Sequence, residues 1–189
     1  QRTVEKELKK AVNEVTGEDN RIIACGRTDA GVHAKKFYVN FLTASKINPK
    51  GFSYHIQPHL PDDIFAISSR EVGLDFHARF SCKTKTYRYI IRLDKNPHPI
   101  YRSYTENISY RLDYDKLSKG LDMLKGKHDF RLFMKEDKNL EINTIRSIDE
   151  CYYEKRGNIL SIYFKANSFL HNQVRIMVGS LIDLSRGRT

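Results

Sequence analysis

The sequence predicts an α+β fold of two ferredoxin-like (βαββαβ) halves that lie side by side, forming an extended, mainly antiparallel sheet with helices on one side. Three observations support this class. Apolar residues recur at helical spacing in several segments, they alternate with polar residues in shorter segments, and the segments follow in the order α-β-β-α-β and then β-α-β-β-α. Each half matches the βαββαβ order with one terminal strand absent, the first strand in the first half and the last in the second. We place the halves at 1–77 and 78–189.

The first half begins with a helix. Its apolar positions at helical spacing are Val4, Leu8, Ala11 and Val15. Gly17 is placed to end this helix. Two strands, at 21–25 and 37–41, then flank a loop. An Asn-Pro pair predicts the start of a helix over 48–57, and a strand from Ile64 to Val72 closes the half.

The second half opens with an alternating, aromatic-rich strand over 85–93. A helix follows, with Asp113 as its N-cap and Gly126 after its end. Its apolar face consists of Tyr114, Leu117, Leu121 and Leu124. Two strands, 144–154 and 159–166, surround an Arg-Gly-Asn turn and form a hairpin. The apolar residues of a last helix are Leu170, Val174, Met177, Val178 and Leu181.

The charge of the chain favours an anionic partner. The formal net charge is +10, with a pI of about 9.5. Surplus Lys and Arg attract phosphates and release their counterions, so a nucleic acid is a better match than a small acidic substrate. We expect the surplus to line a basic cleft.

The compartment expected from the sequence is the cytoplasm. No run approaches the roughly 18 to 20 apolar residues needed to span a bilayer, and the first residues lack the apolar segment of a secretory signal. Cys25, Cys82 and Cys151 are odd in number and widely spaced. We interpret them as reduced thiols rather than as a disulfide or a zinc site.

A polar loop between the first two strands carries the candidate chemistry. Its sequence over 26–34 is GRTDAGVHA. Glycines in such a loop permit tight backbone paths and close approach of a substrate. Asp29 in a loop of this kind also fits a purely structural interpretation, in which its side chain bonds its own backbone.

Three blocks of the sequence resemble the TruA family of tRNA pseudouridine synthases. The GRTDAGVHA loop is similar to the signature loop of that family. The segment DFHARFSCKTKTYRYII, over 75–91, resembles its second motif, and KANSFLHNQVR, over 165–175, resembles its third. The blocks occur in the order of the family and at compatible spacing. Asn172 and Gln173 depart from the His-Met pair common there, and the chain has no Trp.

The resemblance implies roles for individual residues. Asp29 corresponds to the catalytic aspartate of the family, and Arg27 to an arginine that flips or holds the target nucleotide. Tyr87 corresponds to the tyrosine that stacks on the target base, and Arg175 to the basic residue paired with the aspartate. Three more residues of the second motif face the RNA in the family, namely Arg79, His77 and Phe76.

The chemistry implied by the resemblance needs no cofactor and no metal. Converting uridine to pseudouridine breaks the bond from the sugar to N1 and forms a bond to C5, with no net redox change. A carboxylate shielded from water can act on the sugar or on the base. A neighbouring Arg keeps such a carboxylate ionised. The target nucleotide must leave the stack, where an aromatic ring and cations can hold it.

The resemblance further implies tRNA as the partner, uridines of the anticodon stem-loop at tRNA positions 38 to 40 as targets, and a homodimer. Two other functions remain open from the residues. A metal-dependent hydrolase is one, because His33 follows Asp29 by four residues and His55 and His59 are four apart. A non-catalytic RNA-binding fragment is the other, because ferredoxin-like sheets with exposed aromatics bind RNA.

Overall fold

The structure is a computed structural model that describes residues 2–135 and 143–188. It is an α+β structure, as predicted. Its contacts divide the chain into two compact units. The first unit consists of residues 1–28 and 34–82, and the second of residues 29–33 and 83–189. The boundary proposed at residue 77 stays a prediction.

The first unit contains two helices and a small sheet. Helix α1 (Val4–Thr16) has Thr3 as its N-cap, whose side chain accepts from the Lys6 amide. Gly17, at φ 73°, ends α1 as predicted. Strands β1 (Ile23–Ala24) and β2 (Val39–Asn40) pair antiparallel within the two predicted strand segments. Helix α2 (Phe52–Ile56) continues into a 3₁₀ turn at Gln57–His59.

The core of the first unit lies between α1 and α2. Its buried residues are Ala11, Val12, Phe52, Ile56 and Leu60. Of the predicted apolar positions of α1, Ala11 is buried and Leu8 and Val15 pack partly buried against this core. Val4 is exposed, contrary to the prediction, and Val12, which was not predicted, is buried.

Two predictions for the first unit were wrong. Residues 64–72 contain no strand. The side-chain amide of Gln57 donates to the Ile64 carbonyl (3.2 Å) and accepts from the Ala66 amide (2.8 Å), so it occupies backbone groups that a strand partner would use. The second helix begins at Phe52 rather than at Asn48, because Asn48 forms a turn in which its side chain accepts from the Lys50 amide.

The second unit contains a five-stranded sheet among its described residues, in the order β4-β3-β7-β6-β5. Neighbouring strands are antiparallel except for β3 and β4. The elements in chain order are β3 (Lys85–Arg92), β4 (Glu106–Asn107), α3 (Tyr114–Leu124), β5 (Gly126–Asp129), β6 (Ile145–Arg156), β7 (Ile159–Ala166) and α4 (Gln173–Ser185). The predictions of β3, α3, β6, β7 and α4 are confirmed, as is Asp113 as the N-cap of α3. Leu170, which was predicted to lie on the last helix, instead precedes α4, whose N-cap is Asn172. Strands β4 and β5 were not foreseen, since they are too short for alternation to show.

The core of the second unit lies between one face of this sheet and the two helices. Along β7, Leu160, Ile162 and Phe164 are fully buried and pack with residues of α3 and α4. Side chains alternate between the two faces of a strand, so their neighbours along β7 point to the other face. Helices α3 and α4 pack closely at Gly120, where an added Cβ would lie 2.7 Å from Leu181.

The ferredoxin-like arrangement of the two halves stays a hypothesis. Among residues 2–135 and 143–188, no helix has the length and apolar character needed to cross a membrane.

Candidate active site

The candidate catalytic residue Asp29 lies on a tight turn, 29–33, that belongs to the second unit. The Val32 amide donates to the Asp29 carbonyl at 3.2 Å, closing the turn. Gly31 has φ 77°, a left-handed conformation that favours glycine. The Asp29 side chain is 28% exposed, so it is partly shielded yet open to a substrate.

The start of helix α4 holds this turn. Arg175 donates from Nη2 to the Ala30 carbonyl at 2.7 Å. The same nitrogen lies 3.9 Å from where a Cβ on Gly31 would stand. The resemblance implied that Arg175 pairs with the carboxylate. The contact found in this structure is instead with the backbone of the next residue, which makes Arg175 a support of the turn.

A second basic side chain lies beside the Asp29 carboxylate. His171 Nε2 is 3.5 Å from Asp29 Oδ1, within ion-pair distance when the imidazole is protonated. His171 was quoted only as part of the third motif, and no role was predicted for it. Its position four residues before Arg175 was the available signal, because residues four apart lie on one side of a helix and its first turn.

The backbone around His171 is held in an unusual conformation. Asn172, the N-cap of α4, has φ 59°, the left-handed region that Asn tolerates better than most residues. The side chain of Gln173 is 1% exposed, and its Oε1 accepts from the Leu170 amide at 2.7 Å. These contacts give physical roles to the two residues that depart from the family pattern.

Tyr87 lies on the helix-facing side of β3. It is paired in register with Phe164, a core residue, and directly opposite residues point to the same face. Its ring meets the ring of Phe169 edge-on at 5.1 Å. Phe169 is in the third motif, so the structure brings residues of the second and third motifs into contact.

Tyr89, two residues further along β3, faces the same side and lies near Arg175. Burial raises the pKa of the Tyr89 hydroxyl above its ordinary value. The charge of Glu106 adds to that rise, and the Arg175 guanidinium opposes it. The Arg175 guanidinium is thus close enough to the Tyr89 hydroxyl for its charge to act on it.

The other end of the turn contacts an exposed aromatic residue. The His33 and Tyr104 rings are 4.8 Å apart and tilted by 40°. Tyr104 is exposed, in the connection between β3 and β4. This contact gives the turn a further support within the second unit.

The basic residues along β3 divide between two environments. Arg88 lies on the opposite face from Tyr87 and donates to Ser161 Oγ at 3.1 and 2.9 Å. Arg92 forms a half-buried ion pair with Asp94 at 2.6 Å. The basic run along and just before β3 comprises Lys83, Lys85, Arg88 and Arg92. Its charge predicts contacts with a phosphate backbone, and these contacts stay a prediction.

The remaining predicted residues lie in the first unit. Arg27 and Arg79 are exposed. The Phe76 carbonyl accepts from the Asn40 side chain at 3.4 Å. The His77 ring lies 4.3 Å from the ring of Phe80. Their roles towards RNA stay predictions.

The described residues give no support to a metal-dependent hydrolase. In residues 2–135 and 143–188, no three His, Cys, Asp or Glu side chains come together as a set of metal ligands. His33, one of the ligands considered, packs on an aromatic ring.

Comparison with known proteins finds a family model that matches part of this chain. A family model described as tRNA pseudouridine synthase matches residues 121–189, which include β6, β7 and α4. The matched part of the second unit is therefore similar to pseudouridine synthases.

Similar proteins extend that match to nearly the whole chain. It is 43% identical to tRNA pseudouridine synthase A of Finegoldia magna, over 98% of this chain and 76% of that protein. It is 39% identical to the protein of the same name from Clostridium botulinum (strain Eklund 17B), over 100% of this chain and 77% of that protein. It is 40% identical to tRNA pseudouridine synthase A of a Thermoanaerobacter strain, over 98% of this chain and 76% of that protein. The chain belongs to the tRNA pseudouridine synthase A (TruA) family, isomerases that convert uridine to pseudouridine.

Proposed function

We propose that this protein isomerises uridines in the anticodon stem-loop of tRNA, with Asp29 as the catalytic carboxylate. The observation that carries the proposal is the local geometry of Asp29. Its carboxylate stands on a closed turn, partly shielded, with a basic nitrogen of His171 at 3.5 Å and Arg175 bound to the adjacent carbonyl. An aspartate that only forms a turn does not require two basic side chains from a segment far along the chain.

The reaction moves one bond and one proton. The C1′–N1 bond of uridine breaks and a C1′–C5 bond forms, while the proton at C5 is lost and N1 gains one, so atoms and electrons balance without an external reagent. The Asp29 carboxylate acts on the sugar or on the base to start this exchange. Because Arg175 holds the turn by its backbone, the main chain that presents the carboxylate keeps its position as the base rotates.

The target nucleotide leaves its stack before it reacts, at a cost of a few kcal/mol. Tyr87 supplies the aromatic face that receives the base, supported by its edge-on contact with Phe169. Arg27 holds the extruded nucleotide through its cation. Phe76, His77 and Arg79 are proposed RNA contacts.

The choice of uridines rests on the family rather than on the geometry. Positions 38 to 40 of tRNA, a homodimer and action in the cytoplasm are what the resemblance implies. The net charge of +10 suits a large phosphate-rich substrate. We also propose that the two units correspond to two ferredoxin-like halves. The alternative of a non-catalytic RNA-binding fragment is not favoured, since the similar proteins carry the names of enzymes.

The replacement Asp29→Asn in the full-length protein tests the assignment. It keeps size and shape but removes the charge and the nucleophile. Pseudouridine formation, measured by tritium release from C5-labelled uridine in tRNA, is expected to be lost almost entirely. Binding to tRNA is expected to stay near that of the wild type, because phosphate contacts supply most of the affinity.

A matched control is Asp62→Asn, in an exposed turn of the first unit. It removes the same charge and is expected to keep full activity. If Asp29 only forms its turn, Asn replaces it well, since both residues make the same local bonds. An Asp29→Asn enzyme with more than about a tenth of the wild-type turnover, the effect of an auxiliary group, would refute the catalytic assignment.

A further inference from the structure

We propose that His171 is a positioning residue that orients the Asp29 carboxylate for the reaction. This inference rests on the proposed function of Asp29 and deepens it. It assigns separate tasks to two basic residues, namely His171 just before the N-cap of α4 and Arg175 in the first turn of that helix. Arg175 positions the turn, and His171 positions the side chain.

The division of tasks follows from the atoms in contact. Arg175 Nη2 donates to the Ala30 carbonyl at 2.7 Å, which fixes the main chain but not the rotamer of Asp29. Among the residues that the structure describes, the basic nitrogen at ion-pair distance from the carboxylate is His171 Nε2, 3.5 Å from Oδ1. A carboxylate held through one oxygen presents the other to a substrate.

Hydrogen bonds hold the backbone on both sides of His171. The His171 carbonyl accepts from the Lys135 amide at 3.1 Å. Asn172 next to it has φ 59°, the one left-handed residue other than glycine in the described part of the chain. Gln173 is buried and bonds back to Leu170 through both its amide and its side chain. Strained backbone held by its surroundings is typical of functional sites.

The His171 ring lies outside the core and beside the Asp29 carboxylate. The His171 side chain is 55% exposed, so it contributes little to the core, and its ring faces the less exposed Asp29. A neutral imidazole with its proton on Nε2 donates to the carboxylate, and a protonated imidazole pairs with it by charge. In both states the contact restricts the rotamer of Asp29.

The expected effect of losing this contact is on turnover. Misplacing a reacting group by about 1 Å costs on the order of a hundredfold in rate, and a free carboxylate still visits the productive rotamer. His171→Leu is therefore expected to lower kcat roughly tenfold to a hundredfold. The KM for tRNA is expected to change less than about threefold, because phosphate contacts dominate binding.

The experiment compares three variants of the full-length protein, with kcat and KM measured by tritium release and folding by thermal melting. His171→Leu removes the contact. His171→Gln keeps an N–H donor near the Nε2 position and is expected to regain most of the lost kcat. His128→Leu is the control, since His128 is an exposed histidine of β5 with one polar contact, to the Lys125 carbonyl; it is expected to keep wild-type kcat.

The outcomes that would overturn the role of His171 differ from the one that would refute the role of Asp29. Wild-type kcat in His171→Leu overturns the inference, as does a raised KM with unchanged kcat, which assigns His171 to RNA binding. His171→Gln as slow as His171→Leu, at unchanged melting temperature, also overturns it, because an orienting donor is then insufficient. Full activity of Asp29→Asn refutes the proposed function instead, and that outcome is independent of all three His variants.

Discussion

Two glycines in neighbouring helices offer a direct test of the packing in the second unit. Gly120 lies buried in α3, where an added Cβ would stand 2.7 Å from Leu181 Cδ2 and 2.8 Å from Leu184 Cδ2. Gly179 lies exposed in α4, and nothing stands within 4 Å of its added Cβ. Replacing each by alanine makes the same chemical change in opposite surroundings.

The magnitudes follow from two opposing effects. Alanine in a helix interior is more favourable than glycine by about 1 kcal/mol. Gly179→Ala is expected to raise the free energy of unfolding by most of this amount, that is by about 1 kcal/mol or slightly less. Gly120→Ala has the same favourable helix propensity, but forcing a methyl group between the packed leucines costs about 1 to 3 kcal/mol. We therefore expect Gly120→Ala to lose about 1 kcal/mol and the two variants to differ by about 2 kcal/mol.

Urea unfolding followed by circular dichroism measures this difference. For a chain of this size about 1 kcal/mol corresponds to a shift of roughly 2 to 4 °C in melting temperature, so thermal melting gives an independent reading. Equal stability of the two variants, or a more stable Gly120→Ala, would show that α3 and α4 do not pack at Gly120 as described.

Two further predictions concern binding and reactivity. Binding of tRNA is expected to weaken about tenfold or more between 50 and 200 mM salt, measured by filter binding, and an affinity that barely changes would count against an RNA substrate. Iodoacetamide at pH 8 is expected to label the partly exposed Cys82 well before Cys151, as peptide mass spectrometry would show, because burial raises the pKa of the Cys151 thiol to about 11. Equal labelling of both thiols at pH 8 would contradict this expected order of reactivity. Since the pKa of the buried Cys151 thiol exceeds the unfolded value of 9.0, the free energy of unfolding that the neutral thiol contributes is lost as pH rises from 9 towards 11.

Local patterns were enough to predict the longer elements. Alternation predicted β3, the strands flanking the Arg-Gly-Asn turn predicted β6 and β7, and helical spacing predicted α1 and α3. Such patterns persist because one face of each element is buried over many residues. They failed at 64–72, where the Gln57 side chain takes backbone groups that a strand needs, and they had no signal for β4, which has two residues.

The sequence by itself determined which residues deserved attention, since the three motifs contain Asp29, Tyr87 and Arg175. Only the tertiary structure decided which contacts the residues around Asp29 make. It showed that Arg175 binds the carbonyl of Ala30, 145 positions away in the chain, and that His171 stands beside the carboxylate. Contacts at such separation depend on how α4 packs against the sheet and on the backbone turn at Asn172. Neither is encoded in spacing along a single element, so the sequence could name the parts of the site but not their contacts.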